Sequence, residues 1–385
     1  MNSITRATAI KFIVLLGTVS LFADMTYEGA RSVVGPYLGT LGASAAVVGI
    51  VAGFGELIGY AIRLASGYVG DRTGRYWAVT IIGYIINLAA VPLLALAGNW
   101  QIAAVLIVAE RMGRAIRTPT RDAMLSHATS HTGAGWGFGL HEAMDTVGAI
   151  IGPLAVAAAL YLREGYRTSF AMLVVPALLS LIVLMLARAQ FPAPHELEAA
   201  KPIREPGALP RAFWIYCAAA SLIGAGYADF SLLAYHFGKT SVVAQPLIPI
   251  LYASASVAAA IAALVLGRLF DRVGIVVLVP STIVAALSAP FAFLGAPALI
   301  VLGIVCWGIG MGAQESVMRA VVGTMASRAR RGTAFGLFHT LFGIAWFVGS
   351  ALLGILYDYS IVAVAVVSLV LQLLSLPILL ALARR

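Results

Sequence analysis

The sequence has 385 residues, of which 61% are hydrophobic and only 11% are charged. An ordinary soluble domain is about 45–50% apolar and about 25% charged, so this chain lacks the polar surface to cover a globule in water. The formal net charge of +9 would suit a nucleic-acid-binding protein, but the basic residues stand in turns between apolar runs rather than on one soluble face. Composition thus excludes a soluble or nucleic-acid-binding protein and predicts one whose main solvent is the lipid bilayer.

Apolar runs of about 20 residues recur along the whole chain, which is the length that a helix needs to cross the hydrocarbon core of a bilayer. Long continuous runs favour helices over the short alternating strands of a membrane barrel. Divided at its turns and charge clusters, the sequence predicts an all-α membrane protein with twelve transmembrane helices, here called spans 1 to 12, at residues 11–39, 45–69, 76–98, 100–125, 136–161, 168–188, 211–238, 244–270, 274–295, 298–325, 332–356 and 360–383.

Span 1 carries three charged residues at helical spacing, Asp24, Glu28 and Arg31. At about 100° per residue they share one narrow face, and ionisable groups at membrane depth are costly unless they are paired or hydrated. Repulsion between two carboxylates one turn apart favours a proton on one of them, which is what a proton carrier needs. Glu56 in span 2 is expected to join this group, so these four residues are the proton-coupling candidates. A purely structural ion pair between Glu28 and Arg31 is the alternative.

A charged string follows span 2 and reads G-x-x-x-D-R-x-G-R, with Gly67, Asp71, Arg72, Gly74 and Arg75 at its fixed positions. Glycines suit close helix packing and a tight turn, and an aspartate suits the positive N-terminal end of a helix. The same G-x-x-x-D-R-x-G spacing returns after span 8 with Gly267, Asp271, Arg272 and Gly274. A string repeated at half the chain length predicts two related halves.

Span 4 is the most polar of the predicted helices. Its charged residues fall within about a third of the helix circumference and are Glu110, Arg111, Arg114, Arg117 and Arg121. A row of arginines offers paired donors to a carboxylate or phosphate. We predict that Glu110, Arg111 and Arg114 bind substrate, whereas Arg117 and Arg121 are expected to be structural. The other substrate-binding candidates, in spans 1, 2, 7 and 10, are Tyr27, Tyr60, Asp229 and Glu315.

Span 5 contains the string Gly148-x-x-x-Gly152-Pro153 after His141. Glycines at this spacing allow two helices to approach closely, and proline kinks a helix. His141 lies toward the predicted cytoplasmic end of the span, where we expect it to contact the surface or a loop.

The stretch 189–210 differs from the sequence around it because it combines mixed charges with five prolines, namely Pro192, Pro194, Pro202, Pro206 and Pro210. We interpret it as a cytoplasmic linker that joins an N-terminal six-helix bundle, residues 1–188, to a C-terminal six-helix bundle, residues 211–385.

Basic residues in short loops indicate how the chain is oriented, since they concentrate on the cytoplasmic side. If the N-terminus is cytoplasmic, the outer loops receive Arg163, Arg167 and Lys239, and the other basic loop residues fall inside. This distribution predicts a multi-pass protein of the cytoplasmic (inner) membrane with both termini inside.

The repeated string, the twelve spans and the central linker together resemble the major facilitator superfamily of transporters, in its bacterial or archaeal members. The family signature between spans 2 and 3 is G-x-x-x-D-R-x-G-R-[RK], and only its last position departs here, at Tyr76. The resemblance implies two pseudo-symmetric six-helix halves with the substrate site near mid-membrane between them. It also implies that the paired strings latch the halves on the cytoplasmic side in the outward-open state.

The string Gly148, Gly152 and Pro153 resembles the antiporter signature that the same superfamily carries on span 5. The later glycines of that signature are absent here, where the chain continues with Leu154, Ala155 and Val156. The resemblance implies export in exchange for protons.

The chain contains no phosphate-cradling G-x-x-x-x-G-K-[ST] string, no His/Cys metal spacing and no nucleophile–base pair. We therefore expect a transporter rather than an enzyme, with no cofactor and no metal. Its expected partners are a small-molecule substrate, protons and the lipid bilayer, and we expect a monomer. The expected function is proton-coupled secondary transport of a small organic solute by alternating access, with export by proton antiport. The alternative is proton-coupled uptake of an organic anion or a siderophore-like nutrient.

Overall fold

The computed structural model describes residues 6–129, 134–193, 209–325 and 331–383, apart from some side chains within these helices that include those of Tyr60 and Asp71. Throughout that part of the chain the regular elements are helices. The helices before the predicted linker are α1 (Arg6–Arg31), α2 (Val34–Thr40), α3 (Ala45–Thr73), α4 (Tyr76–Leu93), α5 (Trp100–Thr129), α6 (Ala134–Tyr161), α7 (Gly165–Met172) and α8 (Val174–Gln190). Those after it are α9 (Arg211–Gly226), α10 (Phe230–Thr240), α11 (Leu247–Val273), α12 (Leu278–Ala286), α13 (Ser288–Leu294), α14 (Pro297–Ala313), α15 (Arg319–Met325), α16 (Arg331–Tyr359), α17 (Ile361–Leu374) and α18 (Leu376–Ala383).

Ten helical stretches of the described chain are long and apolar enough to cross a membrane. One of them, Leu247–Leu294, has 48 residues, which is about twice the length that a single crossing needs. α5 has 30 residues and is long enough to cross a membrane. Its row of arginines, however, makes its composition too polar for it to count among these ten apolar stretches. An all-helical membrane protein is thus confirmed, and the count of twelve spans stays a prediction.

The chain divides into two compact units. Unit 1 contains Met1–Arg31 and Ile58–Pro202, and unit 2 contains Ser32–Leu57 and Ile203–Arg385. α8 ends at Gln190 and α9 begins at Arg211, and residues 194–208 of the predicted linker lie outside the described residues, so the linker stays a prediction. Residues 32–57 precede this linker in sequence but pack with the second half of the chain.

Residues 32–57 are held in unit 2 by close backbone contacts. A Cβ atom on Gly35 would collide with the carbonyl oxygen of Ser231, and one on Gly49 would collide with that of Ser350. The carboxylate of Asp358 accepts hydrogen bonds from the backbone amides of Ala45 and Ala46, at 3.3 and 3.1 Å, and so caps the N-terminus of α3. A carboxylate is the preferred group at this end of a helix, because four amides there lack a partner within the helix.

α1 and α6 pack against each other in unit 1 through their backbones. A Cβ atom on Gly148 would collide with the carbonyl oxygen of Leu21, and one on Gly152 would collide with that of Met25. Because both colliding atoms belong to the backbone, a side-chain rotation cannot relieve the clash. This is the close helix approach that the sequence predicted for these two glycines.

Replacing Gly148 or Gly152 by alanine is expected to lower the free energy of unfolding by about 1–3 kcal/mol, because the added methyl group overpacks the contact between α1 and α6. Thermal unfolding of the purified protein in detergent measures the effect. Gly59→Ala is the matched control, since a Cβ atom there meets nothing within 4 Å and alanine favours a helix by about 1 kcal/mol. Equal melting temperatures for all three variants and the wild type would contradict the packing argument.

Asp358→Ala is expected to lower the free energy of unfolding by about 1 kcal/mol, because the amides at the start of α3 lose their cap. The same unfolding measurement applies, with Glu164→Ala as the control because Glu164 is exposed and its side chain does not cap α7. A variant at position 358 as stable as this control would show that the cap contributes nothing.

Candidate functional site

Unit 1 contains a cluster of polar and charged side chains between α1, α4, α5 and α6. It is called here the charged cluster, and its members are Ser20, Asp24, Tyr27, Glu28, Arg31, Tyr84, Asn87, Glu110, Arg111, Arg114, Arg117, Arg121, His141 and Asp145. Most of these side chains are buried, which in a membrane protein marks a paired or functional group.

One part of the cluster centres on Glu28. Its carboxylate pairs with Arg31 at 3.9 Å, one turn along α1, and with Arg114 of α5 at 3.8 Å. The Arg114 guanidinium also lies over the Tyr27 ring, 4.4 Å from its centroid, which adds a cation–π attraction. Arg114 keeps 28% of its side chain exposed, whereas Glu28 and Arg31 are nearly enclosed. Arg114 is therefore the cation in this group that solvent or a solute reaches.

A second part joins α4 to α5 around Glu110. The carboxylate of Glu110 pairs with Arg111 at 3.3 Å and accepts a 2.9 Å hydrogen bond from the amide of Asn87. These helices touch through their backbones, because a Cβ atom on Gly113 would collide with the backbone nitrogen of Asn87. The contact holds Asn87 next to Glu110. The Glu110 carboxylate therefore binds both the neutral amide of Asn87 and the guanidinium of Arg111.

Arg117 is almost completely buried, at 1% exposure, and two tyrosines hold it. It donates a 2.9 Å hydrogen bond to the Tyr84 hydroxyl, and its guanidinium lies 4.3 Å from the Tyr84 ring centroid and 5.7 Å from that of Tyr27. Its Nε atom has no hydrogen-bond partner among the described residues. Asp24 and Asp145 interact with it electrostatically.

A third part links α5 to α6. Arg121 pairs with Asp122 at 2.8 Å and with Asp145 at 3.8 Å, and it donates a 3.0 Å hydrogen bond to the Ser20 hydroxyl. His141 lies 3.0 Å from the same hydroxyl and 3.5 Å from the Asp145 carboxylate. His141 is only 3% exposed, so the expectation that it contacts the surface or a loop is wrong. The close packing of α1 on α6 encloses it instead.

Most of the predicted coupling and substrate residues meet in this cluster: Asp24, Tyr27, Glu28, Arg31, Glu110, Arg111 and Arg114. Glu56 is half-buried on α3 and belongs to unit 2. The side chain of Tyr60 lies outside the described residues. The roles assigned to these residues stay predictions.

Asp229 and Glu315 lie in unit 2, away from one another along the chain. Asp229 is buried and accepts a 2.8 Å hydrogen bond from the backbone amide of Ser231, so that it caps α10 where the chain leaves α9. Glu315 is exposed and lies in a π-helical turn, Gln314–Met318, a distortion that is frequent at functional sites.

Sequence reasoning left Tyr84, Asn87 and Asp145 out of the site and treated Arg117 as structural. The sequence pattern does indicate two of these residues, Asp145 and Asn87. Asp145 lies three residues before Gly148, and hence on the face of α6 that contacts α1. Asn87 is a polar residue in an otherwise apolar run, where a buried amide needs partners.

The first charged string forms the end of α3 and a turn. Gly74 adopts a positive φ of 65°, a conformation that favours glycine. Its backbone amide donates a 2.9 Å hydrogen bond to the carbonyl oxygen of Gly70. Arg72 is exposed and donates a 2.9 Å hydrogen bond to the Tyr68 hydroxyl on its own helix, and Arg75 is exposed as well. The side chain of Asp71 lies outside the described residues, and Gly67 lies 3.4 Å from Pro119 as measured from an ideal Cβ position.

The second string ends α11 in the same way. Asp271 and Arg272 are exposed in its last turn, and Gly274 has a φ of 67°. The repeat therefore encodes the same helix end and turn twice, and the latch remains a prediction. Among the described residues, His, Cys, Asp and Glu side chains form no group that could hold a metal ion.

Comparison with known proteins identifies the family. The family model described as Major Facilitator Superfamily matches residues 16–350 and 217–385. An uncharacterised protein of Mycobacterium tuberculosis is 40% identical over 376 residues, which cover 96% of this chain and 92% of that protein. An uncharacterised MFS-type transporter of Methanocaldococcus jannaschii is 27% identical over 359 residues, or 91% of this chain and 89% of that protein.

Solved structures share the fold at low sequence identity. The nucleoside transporter NupG matches with a TM-score of 0.77 at 17% identity, covering 96% of this chain and 98% of that chain. The peptide transporter POT matches with a TM-score of 0.78 at 15% identity, covering 97% of this chain and 95% of that chain. The chain belongs to the major facilitator superfamily, and it is a membrane transporter rather than an enzyme.

Proposed function

We propose that this protein is a proton-coupled secondary transporter that moves a small organic solute across the cytoplasmic membrane by alternating access. Twelve spans, cytoplasmic termini and a monomeric state complete the proposal. The observation that carries it is the burial of Asp24 and Glu28 on one face of α1, within a cluster that also holds five arginines. No nucleotide-binding string occurs in the sequence, so an ion gradient is the energy source that the chain can use.

Proton coupling is supported by the cost of burying carboxylates in a membrane protein. An ionised carboxylate at membrane depth needs pairing or hydration, and protonation removes its charge when these are lost. Glu28 shares Arg31 and Arg114 as ion-pair partners, and Arg114 is partly exposed, so water or a solute can reach and compete for this guanidinium group. Proton binding at the acids of α1 can therefore be coupled to solute binding at Arg31 and Arg114.

The solute site is proposed around Arg111 and Arg114, with Tyr27 as a stacking surface. Arginine suits carboxylates and phosphates because it donates two parallel hydrogen bonds, and the partial exposure of Arg114 provides access. Tyr60, Glu110, Asp229 and Glu315 complete the proposed set of substrate-contacting residues. A small amphipathic or anionic organic molecule fits these groups.

Export by proton antiport is the proposed direction, on the resemblance of Gly148, Gly152 and Pro153 to the antiporter signature. The contact of both glycines with α1 gives them a packing role as well, so the signature alone does not decide the direction. Proton-coupled uptake of an organic anion is the second candidate. The arginines of α5 favour it, since a proton and an anion that bind together bring no net charge.

The paired strings are proposed to act as a cytoplasmic latch in the outward-open state. The exposed Arg72, Arg75 and Arg272 and the positive-φ turns at Gly74 and Gly274 support this role, because they present cations at rigid helix ends. Gly67, Asp71 and Asp271 complete the proposed latch.

Glu28→Gln is expected to reduce solute flux driven by a pH gradient about tenfold, the effect of losing a coupling free energy of about 1–3 kcal/mol between two sites. The assay uses proteoliposomes with an enclosed pH-sensitive dye and a panel of organic anions, organic cations and neutral solutes. Glu164→Gln is the control, because this exposed residue precedes α7 and has no place in the charged cluster. A pH gradient that moves no solute of the panel, together with a variant at position 28 that behaves as the wild type, would refute proton coupling.

The direction of transport is tested in growing cells. Host cells with and without the protein are exposed to a panel of toxic organic compounds, and growth and internal solute concentration are measured. Export predicts higher tolerance and a lower internal concentration in cells with the protein. Higher accumulation in these cells would overturn export in favour of uptake.

A further inference from the structure

Asp24 is buried without a close countercharge. It is 6% exposed, and its Oδ1 atom has no hydrogen-bond partner among the described residues. Arg114 and Arg117 act on it electrostatically and the Tyr27 hydroxyl donates a hydrogen bond to it, while Arg114 also pairs with Glu28. A buried carboxylate with an unsatisfied oxygen is costly when ionised, because the energy of its lost hydration is not recovered.

Asp145 lies in the same situation on the facing helix. One of its oxygens pairs with Arg121 at 3.8 Å and with His141 at 3.5 Å. Its Oδ1 atom, like that of Asp24, has no hydrogen-bond partner in the part of the chain that the structure describes. Arg121 is shared with Asp122, which lies closer to it, at 2.8 Å.

The glycine contact between α1 and α6 brings these two aspartates together. An ideal Cβ atom on Gly148 would lie 3.0 Å from the Cβ atom of Asp24, and Asp145 lies one turn before Gly148 on the same face of α6. Arg121 bridges the same two helices, since its Nη1 atom lies 3.0 Å from the hydroxyl of Ser20, one turn before Asp24, and 3.8 Å from the carboxylate of Asp145. A direct backbone contact thus keeps two acids within range of each other in the interior of unit 1.

Arg117 is the cation that both acids share. It interacts electrostatically with Asp24 and with Asp145, and its Nε atom has no hydrogen-bond partner among the described residues. Two buried carboxylates near each other repel when both are ionised, and each of these has one oxygen without a hydrogen-bond partner among the described residues. A single proton on the pair relieves the repulsion, as in carboxyl pairs that share a site.

We propose that Asp24 and Asp145 form a carboxyl pair that holds a single proton, and that this pair is the proton-binding site of the transporter. The proposal rests on the proposed function and adds Asp145 to its coupling residues. On loading, a proton from water forms an O–H bond with a carboxylate oxygen of the pair, whose charge falls from two negative to one. On release, that O–H bond breaks and the proton returns to water, so no other reactant is needed.

Several ionisable or hydrogen-bonding groups surround the pair and set the pH range over which it titrates. They are Ser20, Tyr27 and Glu28 on α1, Tyr84 on α4, Arg114, Arg117, Arg121 and Asp122 on α5, and His141 and Glu142 on α6. Arg117 is central among them, because it stabilises the singly charged state of the pair whichever aspartate holds the proton.

Infrared spectroscopy of the purified protein in lipid tests the proposal without a solute. Protonated carboxyl groups give a carbonyl-stretch band that disappears on ionisation, and its pH titration is followed in the wild type, Asp24→Asn, Asp145→Asn and the double variant. We expect a protonated-carboxyl band at neutral pH in the wild type and its loss in both single variants, because the remaining aspartate then ionises beside Arg117. The double variant is expected to match either single variant.

Three further variants keep the test decisive. Glu164→Gln changes an exposed carboxylate and is expected to keep the band. Asp24→Glu and Asp145→Glu retain two carboxyls, so they are expected to keep it and to serve if an asparagine variant does not fold. A band lost in only one asparagine variant, a band kept in both, or no band in the wild type would overturn the pair. Because this assay needs neither solute nor gradient, its failure is distinguishable from a failure of proton-driven transport.

Discussion

The contact of α1 with α6 is the constraint on which the charged cluster depends. Backbone atoms of Leu21 and Met25 occupy the space that side chains at positions 148 and 152 would need, so the two helices can approach only at glycine. This approach encloses Ser20 and Asp24 of α1 against α6, and it turns His141 and Asp145 inward. The glycines of the string that resembles an antiporter signature, Gly148 and Gly152, thus determine where these charged side chains lie.

The cluster resolves the problem of burying charge in a membrane protein by distributing it over many incomplete pairs. Glu28 pairs with two arginines, and Glu110 pairs with one arginine and accepts a hydrogen bond from an amide. Arg117 lies against two tyrosine rings, with acids farther away. Several of the ion pairs have separations of 3.3–3.9 Å. Because charged groups share partners, a proton or an anion can change the balance of charge, which suits a site that must bind and release.

The sequence predicted the class of the protein and the helix that carries the acids, because both follow from local pattern. Hydropathy indicates membrane helices, and the spacing of Asp24, Glu28 and Arg31 places them on one face. Partners on other helices depend on which faces meet, and this led to errors for His141 and to the omission of Asp145. Depth along the span predicts an exposed His141, but the glycine contact between α1 and α6 encloses it. Local pattern does not predict the packing of residues 32–57 with the second half of the chain either, since it is formed by contacts between residues distant in sequence, such as the cap that Asp358 provides across more than 300 residues.

The central claim is that the acids of α1 couple proton movement to solute movement, rather than simply holding the helices together. The measurement that separates these roles compares solute exchange with net pH-driven accumulation in proteoliposomes, for the wild type and for Asp24→Asn. Coupling predicts that the variant keeps solute exchange, which needs no net proton movement, and loses accumulation driven by the pH gradient. A variant that loses both to the same degree, or keeps both, would contradict the account.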